Sequence, residues 1–162
     1  MDRAGKAIAQ WQRERPDLDV SPMAVIGRLN EVSSLISRER LAPLFARFGL
    51  QAGEFDVLAT LRRSGSPFAL TPTALYEAAM VTSGAMTNRL DRLEKAGLIR
   101  RMPHPQDRRG LLVQLTDEGL GLIDRAVEAH VENEHAILAA LNPKERKMLA
   151  GLLEKLIADL AG

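Results

Sequence analysis

Cysteine is absent from the 162 residues, which excludes a disulfide framework, a thiolate metal site and a cysteine nucleophile. Aromatic residues make up only 4%, so the core must come from Leu, Ala, Ile, Val and Met, a mixture that favours helix over strand. No apolar run approaches a membrane span. The polar start MDRAGKAIAQWQRERPDLD lacks a signal-peptide core, so the expected compartment is the cytoplasm and no membrane partner is expected. Histidine occurs only at His104, His130 and His135. The last two lie five apart on an expected helix, a spacing that does not bring both to one metal. A glycine-rich phosphate loop and a zinc-protease motif are missing, and neither Ser33-Ser34 nor Ser64-Gly65-Ser66 has a base beside it. These absences argue against an enzyme, a cofactor and a metal.

Hydrophobic residues reach 46%, enough for a real core. The length fits one domain, or one domain with an attached dimerisation element. Net charge is only +1, but it is unevenly placed. Seven basic residues face three acidic ones between Thr82 and Thr116, whereas Asp117 onward has five basic and nine acidic. Two readings stand: a local face for a polyanion, or ordinary surface scatter.

Punctuation along the chain predicts a mainly α fold with a small β-wing. Ser21-Pro22 starts a helix whose apolar residues recur at Val25, Ile26, Leu29, Val32, Leu35, Ile36 and Leu41, and Gly49 closes that region. A helix with Phe55, Leu58 and Leu61 on one face ends at Ser64-Gly65-Ser66-Pro67. Thr71-Pro72 opens a short helix, and Thr82 or Ser83 caps the next, which stops at Gly97. Met80 and Val81 between them give a helix-turn-helix. Leu98–Met102 and Leu111–Leu115 flank the polar stretch 103–110 and read as a hairpin, that is, a wing. Thr116 caps a helix over about 117–141, and Asn142-Pro143 starts the last one. That helix carries Met148, Leu149, Leu152, Leu153, Leu156, Ile157 and Leu160. So wide an apolar stripe either pairs with a second subunit or packs on its own chain. The expected division is 1–48 as a helical extension with a dimerisation helix, 49–116 as a winged helix-turn-helix, and 117–162 as helices completing the dimerisation region.

The second helix of a helix-turn-helix lies in the major groove of double-stranded DNA. Its inner face here is Met86, Leu90, Leu93 and Gly97. The small polar start Thr82, Ser83, Gly84 permits close approach, and free helix N–H groups there can meet a phosphate. Thr87 lies on the flank. Asn88 suits adenine, and Arg92 suits guanine or a phosphate. Asp107, Arg108 and Arg109 sit at the wing, where arginine suits the minor groove and Asp107 can orient it. Each of these residues alone could equally be a solvated surface position.

The run NRLDRLEKAGLIRR (Asn88–Arg101) and the wing DRRGLLVQLT (Asp107–Thr116) resemble the MarR family of bacterial regulators. The family's wing pattern D-x-R-x-x-L-V-x-L-T is met by Asp107, Arg109, Leu112, Val113, Leu115 and Thr116, and Gly119 fits the opening of the following helix. The resemblance implies a homodimer built by the terminal helices, gripping a palindromic promoter site with two wings and two recognition helices. A finer resemblance is to the branch that responds to urate and related purines or aromatic acids. Its four characteristic positions are matched by Trp11, Asp56, Arg89 and Arg101, which implies a small aromatic or purine anion as effector. Helical geometry puts Asp56 opposite the Phe55, Leu58, Leu61 face and Arg89 at the margin of its helix's inner face. Arg89 then serves either ligand or DNA, Trp11 is either a stacking group or a simple anchor, and Asp56 with Arg89 is either a sensing or a structural pair. Repression and activation both remain open.

Overall fold

The structure, a computed structural model, describes residues 1–79 and 86–162, with the side chains of all of these except Arg108 and Arg109. It forms two compact units, Met1–Pro43 and Leu44–Gly162. Among the described residues no helix is long and apolar enough to cross a membrane.

The first unit pairs α1 (Arg3–Glu14) with α2 (Ser21–Leu35), followed by a π-helical turn, Ile36–Leu41. The wider turn was not foreseen, because an apolar period reads the same through it. α2 begins one residue earlier than expected. Ser21 is its first residue, and its N–H donates to Asp19 Oδ1 at 2.9 Å, so an aspartate side chain and not the serine satisfies the helix start. The two helices approach at small residues: a Cβ added at Gly27 would stand 3.3 Å from that of Ala4. Asp2 fastens them. Its Oδ1 accepts the Gly5 N–H at 2.8 Å as the N-cap of α1, while Arg28 of α2 donates from Nε to Oδ2 at 2.7 Å.

The second unit is built around α4 (Ala52–Arg63), preceded by α3 (Ala42–Arg47). α4 packs against α5 (Pro72–Ala78), α6 (Met86–Lys95), α7 (Asp117–Ile137) and a three-stranded antiparallel sheet. Val57, Leu58 and Leu61 are fully enclosed with Leu75, Leu93, Ile99, Val113 and Ile123. The strands β1 (Ala69–Leu70), β2 (Ile99–His104) and β3 (Asp107–Leu115) lie in the order β1-β3-β2. Thr71 caps α5 by accepting the Ala74 N–H at 3.1 Å, with Pro72 in the first turn as the sequence predicts. Gly97 supplies the left-handed φ of +75° that ends the α6 region. Thr116 caps α7 by accepting the Gly119 N–H at 3.0 Å, and Gly119 has no room for a side chain because the Leu98 carbonyl fills the place of its Cβ. Asn142 caps α8 (Pro143–Ala161) in a reciprocal box with Glu145.

Three expectations change. β1 is an additional strand, too short for a periodicity signal. The wing strands are longer than the apolar runs that announced them: only Pro105 and Gln106 lie between them. Asp107, Arg108 and Arg109 therefore begin β3 and are not in the loop. Pairing jumps from Pro103↔Leu111 to His104↔Asp107, so residues 108–110 form a bulge. Asp56 is buried at 9% exposure, because α4 has neighbours on the side opposite its apolar face as well.

The Gly5 N–H bond first, and Arg28 second, hold the Asp2 carboxyl below its usual pKa. A depressed folded value means the cap is fully stabilising above the ordinary Asp range and is lost as pH falls through the lowered value. Amide exchange of α1 should stay slow at neutral pH and accelerate only in strong acid. Asp2→Asn, which still caps but no longer neutralises Arg28, should flatten that acid transition.

Candidate nucleic-acid interface

α6 is amphipathic: Leu90 and Leu93 are buried, while Thr87 and Asn88 are exposed. The expected DNA-contacting residues Thr82, Ser83 and Gly84, the first two also the expected caps, and the turn residues Met80 and Val81 lie outside the described residues. Four of the charged residues of α6, Arg89, Asp91, Arg92 and Glu94, are tied to the scaffold on two sides.

On one side is the first turn of α4. Arg92 Nε forms an ion pair with Glu54 Oε1 at 2.9 Å, with Glu54 only 3% exposed. Arg89, half-buried, lies against Gly53, where an added Cβ would strike its Nε and Cζ. Arg89 and Arg92 are three apart and so share a face. The position of Arg89 at the margin agrees with the helical-wheel reading, and it faces α4. Arg92, expected to reach DNA, is engaged by a carboxylate that the sequence reading did not single out.

On the other side is β2. Arg101 donates from Nη2 to Asp91 Oδ1 at 2.6 Å and from Nη1 to Glu94 Oε2 at 2.5 Å, and its backbone N–H donates to Glu94 Oε1 at 3.0 Å. The bond to Asp91 is the largest influence on the guanidinium and, with the contacts to Glu94, raises it above its usual pKa in spite of the desolvation that opposes them. Arg101, the residue expected at an effector, links wing to helix through these bonds. Next to it, Arg100 donates to Gln114 Oε1 across the strands, and Gln114 Nε2 donates to the Pro67 carbonyl at 2.9 Å.

Asp56 lines a groove of about 680 Å³ between α4 and α7, with Phe55, Ala59, Arg62, Arg63, Asp124, Val127, Glu128 and His130. Arg63 Nη1 stands 3.9 Å from Asp56 Oδ1, and Arg62 donates to Asp124 at 2.6 Å. The Phe55 ring is stacked on Phe45 at 4.3 Å and lies 4.9 Å from the His130 ring. His130 Nδ1 is buried with no hydrogen-bond partner, while Nε2 meets Glu134 at 3.1 Å. Sequence reasoning weighed His130 only as a metal ligand. Its signal was periodic: Ile123, Ala126 and His130 share the inner face of α7. Trp11 belongs to the first unit, on α1, and is 45% exposed. Among the described residues no His/Asp/Glu group is arranged to hold a metal.

A short helix, a second helix with an open polar face and an antiparallel hairpin, in that order, define a winged helix-turn-helix regulator fold. The sequence matches the MarR family over residues 50–111. It is 53% identical over 146 residues to the HTH-type transcriptional regulator PecS of Dickeya dadantii (strain 3937), covering 90% of this chain and 87% of that protein. It is 33% identical over 137 residues to the multiple antibiotic resistance protein MarR of Salmonella typhimurium (strain LT2), covering 82% and 90%. The structure of Sco3205, a MarR family transcriptional regulator from Streptomyces coelicolor in complex with DNA, superposes with a TM-score of 0.79 at 26% identity, covering 90% of this chain and 91% of that one. The chain belongs to the MarR family, whose members are transcriptional regulators and not enzymes.

Arg101→Met should lower stability by about 1 kcal/mol, the scale of a partly exposed ion pair. It should also speed amide exchange in β2 and the second half of α6 together. Urea unfolding and hydrogen exchange read the two effects; faster exchange in β2 alone would mean the bonds do not couple wing to helix.

Proposed function

We propose that this chain is a homodimeric repressor of the cytoplasm that binds palindromic promoter DNA and releases it when a small aromatic anion, such as urate or a phenolic acid, binds. The observation that carries the DNA reading is the open face of α6. Thr87 and Asn88 stay exposed there while their neighbours are tied to α4 and β2. The relative Sco3205 in complex with DNA supports it. Residues 49–116 meet the DNA, with Thr82, Ser83, Gly84, Thr87 and Asn88 at the major groove and the start of β3, Asp107 to Arg109, at the minor groove. Residues 1–48 and 117–162 make the dimer. α2 exposes Val25, Ile26 and Val32, and α8 exposes Met148, Leu152, Ile157 and Leu160, the last at 83%; apolar faces this open call for a partner.

Binding to the chain's own upstream region should involve two chains per duplex by light scattering. Affinity should fall with salt by a slope of about −0.9 per neutralised phosphate. Asn88→Ala should relax base preference at one position per half-site, and Arg109→Ala should weaken binding to all sequences alike. Absence of a salt-dependent complex would sink the reading.

The effector reading is supported by the groove at Asp56, with its aromatic wall and unpartnered His130 nitrogen. It is also supported by the placing of Arg89 on Gly53, one helical turn before Asp56. An anion that draws Arg89 off α4 moves α6 and shifts the dimer away from its DNA-fitting form. Arg101 then transmits the change through its hold on Asp91 and Glu94. Trp11, the single tryptophan, serves as the optical probe and as the test of its own expected stacking role. Titration with urate, xanthine, salicylate and hydroxybenzoates should give saturable quenching and free the DNA, and Asp56→Ala and Arg89→Ala should abolish both. Release that persists in both variants would place the effector elsewhere.

A further inference from the structure

We infer that Glu54 is a positioning residue for α6, and that Arg92 acts on DNA binding through Glu54 and not by touching DNA. The inference rests on the DNA-binding reading above. Glu54 is almost wholly buried yet carries a carboxylate, and such a charge persists inside a protein only when its oxygens are occupied. Both are. Oε2 accepts the Gln51 N–H at 2.8 Å, closing the start of α4, and Oε1 is ion-paired with Arg92 Nε at 2.9 Å. The Arg92 side chain is 57% exposed, so the carboxylate depends on the pair far more than the arginine does.

The location gives the pair its consequence. The first turn of α4 is the positive end of a helix, and α6 lays two guanidinium groups on it, Arg92 at Glu54 and Arg89 at Gly53. Without the carboxylate that contact sets three positive groups together. Glu54 turns it into an attraction and so fixes the roll of α6 about its own axis. Arg92 and Glu94 are about 160° apart around α6, and Glu94 is gripped by Arg101. The helix is thereby held from two nearly opposite sides, and its roll decides where Asn88 points.

Duplex binding across a salt series separates this role from a direct phosphate contact. Glu54→Gln keeps a residue that serves in the same cap and removes the charge. It and Arg92→Ala should each weaken binding about tenfold, and the double variant should be no weaker than either single. The salt slope should be unchanged in all three. Arg92→Lys, which keeps the charge opposite Glu54, should recover most of the lost affinity at an unchanged slope, and this arm serves even if Glu54→Gln fails to fold. The inference is overturned if Glu54→Gln binds as the unaltered protein does, if the losses add, or if Arg92→Ala lowers the slope by about 0.9 while Arg92→Lys restores it. Failure of the unaltered protein to bind would instead remove the DNA reading. Amide exchange of α6 in the free protein then still decides the positioning role: faster in Glu54→Gln supports it, unchanged overturns it.

Discussion

A helix can be buried around most of its circumference with charged side chains on it only if those charges are met by partners from the elements around it. α4 is under that constraint. It encloses the carboxylates of Glu54 and Asp56 along with its apolar residues, and the Thr60 hydroxyl, which is buried without a hydrogen-bond partner; helices and sheet close on it from several directions. Glu54 is met by Arg92 and by the backbone at the helix start, and Asp56 is approached by Arg63. The rest of the second unit follows from this. α6 is set by what it offers to Gly53 and Glu54, α7 by the aromatic stack of Phe45, Phe55 and His130, and the sheet by its enclosed Val113 and Ile99.

The arrangement redistributes the charge of α6. Its five charged side chains would look equivalent on a solvated helix, yet four of them, Arg89, Asp91, Arg92 and Glu94, are drawn into ties with α4 and β2. Asn88 and Thr87 keep the open face. The basic excess between Thr82 and Thr116 is therefore only partly a surface for a polyanion, since some of it neutralises buried or neighbouring carboxylates.

Local chemistry was legible in the sequence wherever one residue determines one backbone event. Thr71 with Pro72, Gly97, Thr116 with Gly119, and Asn142 with Pro143 all end or begin elements where expected. The wing's order after the helix pair was legible too. What escaped were facts of pairing. A helical wheel gives the direction of Asp56 or Arg92 but not what stands there, and both directions turned out to be occupied. Ser21 lost its expected capping role to Asp19, two residues away and equally able to accept a bond. β1 owes its existence to β3, through Ala69↔Gln114 and Leu70↔Val113, and two residues carry no period of their own. The π-helical turn leaves no signature in an apolar pattern.

The bulge in β3 has a consequence for how the wing can change over generations. The pairing from Ile99↔Leu115 to Pro103↔Leu111 is continuous, and the three extra residues are taken up beyond it. Residues gained or lost at the tip therefore do not slip the register of the strands beneath, and no inward side chain is turned outward by them. The wing's reach and charge can change by insertion or loss at its tip without disturbing Ile99 and Val113, the enclosed residues of the strands beneath, which separates changes in what is contacted from changes that would unfold the chain.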